Sequence, residues 1–102
     1  MAGGKASALF LFEILSKKWT LLVLRNLVVN KKRRFNELVT DLSGISPKTL
    51  SERLRELEKE GFLNKRPFAE IPPRVEYSLT QKGKDLVGCF KYIENCALKW
   101  AD

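Results

Sequence analysis

Gly44 and the pair Ser46-Pro47 limit what this chain can fold into more than any other feature. Before them, Phe35, Leu38, Val39 and Leu42 recur at helical spacing, which predicts a two-turn amphipathic helix. Gly44 ends it, because glycine enters the left-handed conformation at a helix C-terminus without a Cβ clash. Ser46 then offers a side-chain oxygen to the orphan amides of a new helix. Pro47 sits in the first turn, where its missing N–H would have no partner anyway. Leu50, Leu54 and Leu57 form the buried stripe of that second helix, expected over about 47–60 and closed by Gly61. Two helices joined by a short glycine-containing turn make a helix-turn-helix.

The flanks complete the expected architecture. Leu9, Phe12, Ile14 and Leu15 suggest a short first helix, and Ser16 is expected to cap a second over about 17–29. Its apolar residues Leu21, Leu22, Leu24, Leu27 and Val28 fall mostly on one side. After Gly61 the period drops to about two, so Phe62-Leu63-Asn64-Lys65-Arg66 and Val75-Glu76-Tyr77-Ser78-Leu79 read as strands. The segment 67–74 carries Pro67, Pro72 and Pro73 and is expected to leave the sheet, since proline lacks the ladder donor. A hairpin at about 62–79 behind a helix-turn-helix is a wing, with Arg34 opening a short strand beside it. Thr80 caps a last helix reaching about residue 101. Its stripe Leu86, Phe90, Ile93, Ala97, Trp100 alternates by four and three, the seam of helices that pack along one another. The expected fold is mainly α with a small β-hairpin (α+β): a single winged helix-turn-helix domain over 1–102. It is expected to pair with a second copy through its terminal helices, Leu9 and Phe12 joining the last-helix stripe in the interface.

Charge indicates the partner. The 102 residues hold 19 Lys and Arg against 12 Asp and Glu, with no histidine, for a formal charge of +7. Without histidine the chain lacks the commonest general base and every His-containing metal site. It also shows no glycine-rich phosphate loop and no paired-carboxylate signature, so no enzyme, metal or cofactor is expected. Cys89 and Cys96 lie seven positions apart on one helix, about 10.5 Å of rise against the ~7 Å Cα limit of a disulfide. They read as small apolar residues beside a packed seam. The longest apolar runs, 6–12 and 19–24, fall far short of the ~20 residues that cross a bilayer. No membrane partner and a cytoplasmic location are expected. Nucleic acid is the acidic partner left.

The sequence resembles the HxlR-type winged helix-turn-helix regulators. The resemblance rests on Lys18-Trp19-Thr20, on Arg34-Phe35-Asn36-Glu37-Leu38 and on the long block from Gly44-Ile45-Ser46-Pro47-Lys48-Thr49-Leu50 through Glu58. It extends over Pro72-Pro73-Arg74-Val75-Glu76-Tyr77-Ser78-Leu79-Thr80 and Lys82-Gly83, and Trp100 also fits. It implies a homodimeric, MarR-like transcription regulator that binds operator DNA through a dimer built largely from the first and last helices. Some members sense oxidants through a cysteine near the N-terminus. This chain has none there, and has Ser16-Lys17 where the family usually shows glycine before Lys-Trp, so that role is not carried over.

The second helix of the pair would do the reading. At 100° per residue from Leu50, the leucine stripe centres near 0°, while Ser51, Arg55, Lys48, Lys59 and Glu52 span about 100–200°. Lys48, Ser51, Glu52 and Arg55 are therefore expected near base edges, with Thr49 on the phosphate side. Glu52–Arg55 or Glu56–Lys59 ion pairs on an ordinary helix surface are the alternative. Seven basic and no acidic residues lie between Ile14 and Asn36. Lys31, Lys32 and Arg33 from that stretch, Lys59, and Lys65, Arg66 and Arg74 of the wing are expected at phosphates or the minor groove. Arg74 has an alternative partnership with Glu70 or Glu76. Trp19, Trp100, Tyr77 and Tyr92 are expected in core or dimer packing. The function expected is a sequence-specific repressor on an inverted repeat in double-stranded DNA, with any small-molecule effector unidentified. The alternative is a winged-helix module that binds protein.

Overall fold

The computed structural model describes residues 4–101, and the remaining positions of the expected 1–102 domain lie outside them. Five helices and three strands follow in order: α1 (Gly4–Ser16), α2 (Thr20–Asn30), β1 (Lys32–Arg34), α3 (Phe35–Asp41), α4 (Pro47–Lys59), β2 (Leu63–Phe68), β3 (Arg74–Leu79) and α5 (Gln81–Trp100). The sheet is antiparallel, ordered β1-β3-β2. Leu38, Leu50, Leu54 and Leu57 of the helix pair pack on Val23, Leu24 and Leu27 of α2, and Phe62, Leu63, Tyr77 and Leu79 close the same core from the sheet.

The turn between the paired helices has the expected chemistry. Gly44 adopts φ +98° and Gly61 φ +82°, both left-handed positions that a Cβ disfavours. The Ser46 hydroxyl accepts the Thr49 N–H at 3.1 Å, with Pro47 directly behind it.

Three expectations need correction. Ser16 does not cap α2: its hydroxyl donates to the Glu13 carbonyl at 2.8 Å and so belongs to the end of α1. The chain then turns through a left-handed Trp19 at φ 82° before α2 begins at Thr20. The cause lies in α3–α4 packing, where the Trp19 ring rests on the bare face of Gly44, Cη2 3.7 Å from where a side chain would begin. The buried face of α2 also differs from the expected one. Thr20, Val23, Leu24 and Leu27 are buried, whereas Leu21, Leu22 and Val28 stay exposed. The third correction concerns Pro67. β2 runs through it to Phe68, pairing Pro67 with Val75, because β2 is an edge strand and an edge tolerates a missing donor.

One joint fastens the reading helix, the wing and α5. The Thr80 N–H donates to the Phe62 carbonyl at 3.1 Å, and the Thr80 hydroxyl donates to the Gly61 carbonyl at 2.5 Å. The same hydroxyl oxygen caps α5 by accepting the Gly83 N–H at 3.0 Å. Lys82 adds a bond from its ammonium to the Glu60 carbonyl at 2.6 Å. Gly83 sits so close that a Cβ there would lie 2.2 Å from the Phe62 oxygen. Replacing Gly83 by Ala should therefore lower folding stability by about 1–3 kcal/mol, the usual cost of forced overpacking. Gly88, with nothing within 4 Å of its missing side chain, should gain about 0.5–1 kcal/mol on replacement by Ala. Denaturant melts of the two variants should shift in opposite directions.

Candidate nucleic-acid interface

α4 presents its leucines inward and a polar face outward. Lys48, Arg55 and Lys59 are exposed, and Thr49, Ser51 and Glu52 are half-buried at its edges. Neither of the ordinary surface pairs forms. Glu56 turns instead toward the α1–α2 connection, where it accepts hydrogen bonds from Lys17 Nζ and from Arg53 Nη1 at 2.8 Å. Arg53 Nε donates to the Lys18 carbonyl at 3.1 Å. Among the described residues, Lys48, Arg55 and Lys59 enter no ion pair. Glu56 is thus taken up by Lys17 and Arg53 at the flank of α4, and the three exposed cations stay unpaired among the described residues.

Elsewhere the acids do capture expected contacts. Arg33 is held by Asp41 through Nε at 2.8 Å and Nη2 at 3.0 Å, and by Glu37 through Nη1 at 3.1 Å. Asp41 also accepts from Asn26 at 3.1 Å. Arg33 thus fastens α3 to β1 and α2, and its guanidinium is not presented outward with Lys48 and Arg55. The acids four and eight positions after it were the legible signal. Arg74 likewise takes the partnered arrangement. Its guanidinium stacks on Phe68 at 4.1 Å from the ring centroid, with Nε 3.0 Å from Glu70 and Nη2 3.8 Å from Glu76. That clasp closes the base of the wing loop.

Lys65 and Arg66 remain exposed on β2, Arg66 leaning over the other side of Phe68 at 5.1 Å. The wing loop carries Ile71, which is fully exposed and was not singled out from the sequence. An apolar side chain alone at a wing tip has the character of a minor-groove wedge, a feature that only the loop's placement reveals. Between this loop and the start of α3 runs a cleft of about 500 Å³, its walls including Arg34, Asn36, Ile71 and Pro73. Lys31 and Lys32 are both exposed. They lie at the far end of the sheet, where Lys32 pairs with Ser78.

The apolar surface is elsewhere, on α1 and α5. Leu9, Phe12, Ile93 and Trp100 are each at least 60% exposed, Ala97 is exposed, and Leu86 and Phe90 are half-buried against the core. Tyr92 and Leu98 add to it. Of the four large aromatics, Tyr77 is buried and Trp19 half-buried, whereas Tyr92 and Trp100 face outward. Both cysteines are free, Cys89 exposed and Cys96 half-buried. No helix among the described residues is long and apolar enough to cross a membrane, and no cluster there could hold a metal ion.

A helix pair with an exposed cationic second helix, followed by a two-stranded wing, defines the winged helix-turn-helix class of DNA-binding proteins. Within that class the chain belongs to the HxlR-like helix-turn-helix family, whose model matches residues 14–102. It is 43% identical over 90 residues to the HTH-type transcriptional regulator YvaP of Bacillus subtilis, covering 88% of this chain and 82% of that protein. A second HTH-type regulator, from Synechocystis, is 49% identical over 74 residues, which are 72% of this chain and 54% of that longer protein. Among solved structures, the reduced form of the B. subtilis regulator YodB superposes with a TM-score of 0.80 at 31% identity, over all of this chain and 97% of that one. A MarR-family regulator of Enterococcus faecalis gives 0.83 at 31% identity, over 98% and 90%. The protein is an HTH-type transcriptional regulator with a MarR-like winged fold.

The brace at the flank of α4 is pH-sensitive. Burial pushes the Glu56 carboxyl up, but the hydrogen bonds from Lys17 and Arg53 outweigh it and hold the group below the ordinary carboxylate range. A carboxyl with a depressed folded-state pKa stabilises the fold above its unfolded pKa, and that stabilisation is lost as pH falls through the folded value. Wild type should therefore be more stable than Glu56→Gln at pH 7. The difference should shrink to nothing as pH drops through and below the carboxylate range, as read by urea midpoints across pH.

Proposed function

We propose that the protein is a homodimeric repressor that recognises an inverted repeat, each copy reading one half-site with α4 and its wing. The observation that carries this reading is the uncompensated front of α4. Lys48 and Arg55 are exposed and unpaired among the described residues, Ser51 and Glu52 lie beside them, and Glu56 is engaged by Lys17 and Arg53 at the flank of α4. Lysine and arginine donate to guanine O6 and N7, and Glu52 accepts from cytosine N4 or orients Arg55. Thr49, Lys59, Lys65 and Arg66 supply sequence-independent phosphate contacts around them. Ile71 enters the minor groove at the wing tip.

The second copy is called for by the outer faces of α1 and α5. Leu9, Phe12, Ile93 and Trp100 would leave a large apolar surface in water on a lone chain, and Leu86, Phe90 and Ala97 continue it along α5. A two-fold pairing there presents two α4 helices about 34 Å apart, one turn of DNA. Occupying such a site represses by excluding other proteins from it.

Selection of bound sequences from random DNA should return one inverted repeat with half-sites centred about one turn apart. On that site, Lys48→Ala and Arg55→Ala should each cost about 1–3 kcal/mol and relax base preference at one position. Lys59→Ala should instead weaken every sequence alike and reduce the salt slope by about one. Equal losses on selected and random DNA for all three variants would remove α4 from the role of base reader. Sedimentation at micromolar concentration should show a dimer, and Ile93→Glu or Trp100→Glu should shift it to monomer. A wild-type chain that sediments only as monomer would end the two-half-site reading.

A further inference from the structure

At the end of the sheet away from the wing tip, Leu27 of α2, Lys31, Lys32 of β1, Ser78 and Leu79 of β3, and Lys84 of α5 line one cleft of about 390 Å³. No acidic side chain lines it. Among the described residues none of its three ammonium groups is in an ion pair. Lys31 follows α2, Lys32 opens β1 and Lys84 lies on α5, so three separate stretches of the chain bring lysines to one concave surface. The position is also far from the reading face. Ser78 lies four residues along β3 from Arg74, about 13 Å at strand rise, and Arg74 marks the wing-tip end.

Lys31 adds an independent sign. Its backbone has φ 66° and ψ −53°, the sparsely populated region of a γ-turn, which glycine reaches far more easily than lysine. Its N–H closes α2 on the Leu27 carbonyl at 3.0 Å, so the conformation is locked by the helix end. Strain of this kind persists where the surroundings impose it and accumulates at functional sites. Three lysines around a concave floor, none of them in an ion pair among the described residues, make a place where an anion can be held.

We propose that this cleft is a phosphate-binding seat. Lys31, Lys32 and Lys84 donate to phosphoryl oxygens and the Ser78 hydroxyl stands ready as a further donor. Phosphate takes several charge-assisted bonds at once, and three rotatable ammonium groups match its three or four oxygens. Two sources carry that group: a small phosphorylated compound, or a backbone phosphate of DNA beyond the half-site. The second source rests on the DNA reading above, and the first does not.

The test uses the full chain and pyrophosphate as probe. Titration calorimetry without DNA should show saturable binding of one pyrophosphate per chain, weakened about tenfold or more in Lys84→Ala. Lys31→Gly is the sharper variant, because it removes the charge and relieves the backbone together. Its melting midpoint should hold or rise while pyrophosphate affinity falls by a similar factor. In a second arm, the salt dependence of DNA binding is compared for wild type and the same variants. A slope lower by about one per lysine assigns the phosphate to the DNA backbone. An unchanged slope with pyrophosphate bound assigns it to a free phosphorylated compound. No saturable pyrophosphate binding together with an unchanged slope overturns the proposal, as does equal pyrophosphate affinity in wild type, Lys31→Gly and Lys84→Ala. The calorimetric arm contains no DNA, so failure of the DNA reading alone leaves it standing.

Discussion

The Phe62 carbonyl is the point on which the geometry of this molecule depends. It accepts the Thr80 N–H and lies against Gly83, a residue of α5 with no side chain to intrude. Around it, Gly61 turns the chain out of α4, the Thr80 hydroxyl bonds the Gly61 carbonyl, and Lys82 takes the Glu60 carbonyl. The last carbonyls of a helix ordinarily have no intrahelical partner. Here Lys82 of α5 satisfies the carbonyl of Glu60, the α4 cap, and Thr80 satisfies that of Gly61 just beyond it. Helix α4, the wing and α5 therefore share a single hydrogen-bonded junction, and that junction sets the angle between α4 and the apolar outer helix.

Competition for carboxylates then sorts the basic residues into two kinds. Glu37 and Asp41 hold Arg33, Glu56 holds Lys17 and Arg53, and Glu70 and Glu76 hold Arg74. The Arg33 pairs join β1 to α3, Lys17–Glu56 ties the α1–α2 connection to α4, and Arg74–Glu70 closes the wing loop. The cations left over on the surface proposed to meet DNA are Lys48, Arg55 and Lys59 on α4 and Lys65 and Arg66 on β2, all exposed. Formal charge alone does not separate the two groups, since both contribute equally to the +7. The division comes from which acids the fold brings within reach.

Much of this was legible before any coordinates. The Gly44–Pro47 turn, the leucine stripe of α4, the Ser46 and Thr80 caps and the hairpin all rest on local rules, and the structure has them where the sequence places them. What was not legible depends on partners distant in sequence. The left-handed Trp19 answers to the bare face of Gly44, 25 positions on. The acceptance of Pro67 in a strand depends on β2 lying at an edge, which only the order β1-β3-β2 decides. For the candidate site, the polar face of α4 was readable from helical angle alone. The withdrawal of Arg33 turned on acids four and eight positions away, close enough to have been weighed. Ile71 at the tip and Lys84 beside Lys31 and Lys32 had no local signature.

The clasp of Arg74 on Phe68, Glu70 and Glu76 bears on how quickly the molecule can recognise a site. A loop that is held in one shape before contact loses little freedom on docking, so its ordering is part of folding and not of association. Each trial collision with a duplex then presents the same wing, and a mismatch is rejected by poor fit without the delay of rearranging a segment. A searcher that samples many wrong sequences for every right one gains from short visits. On the proposed reading, an arginine spent on holding the loop, rather than on the duplex, sets the tempo of that search.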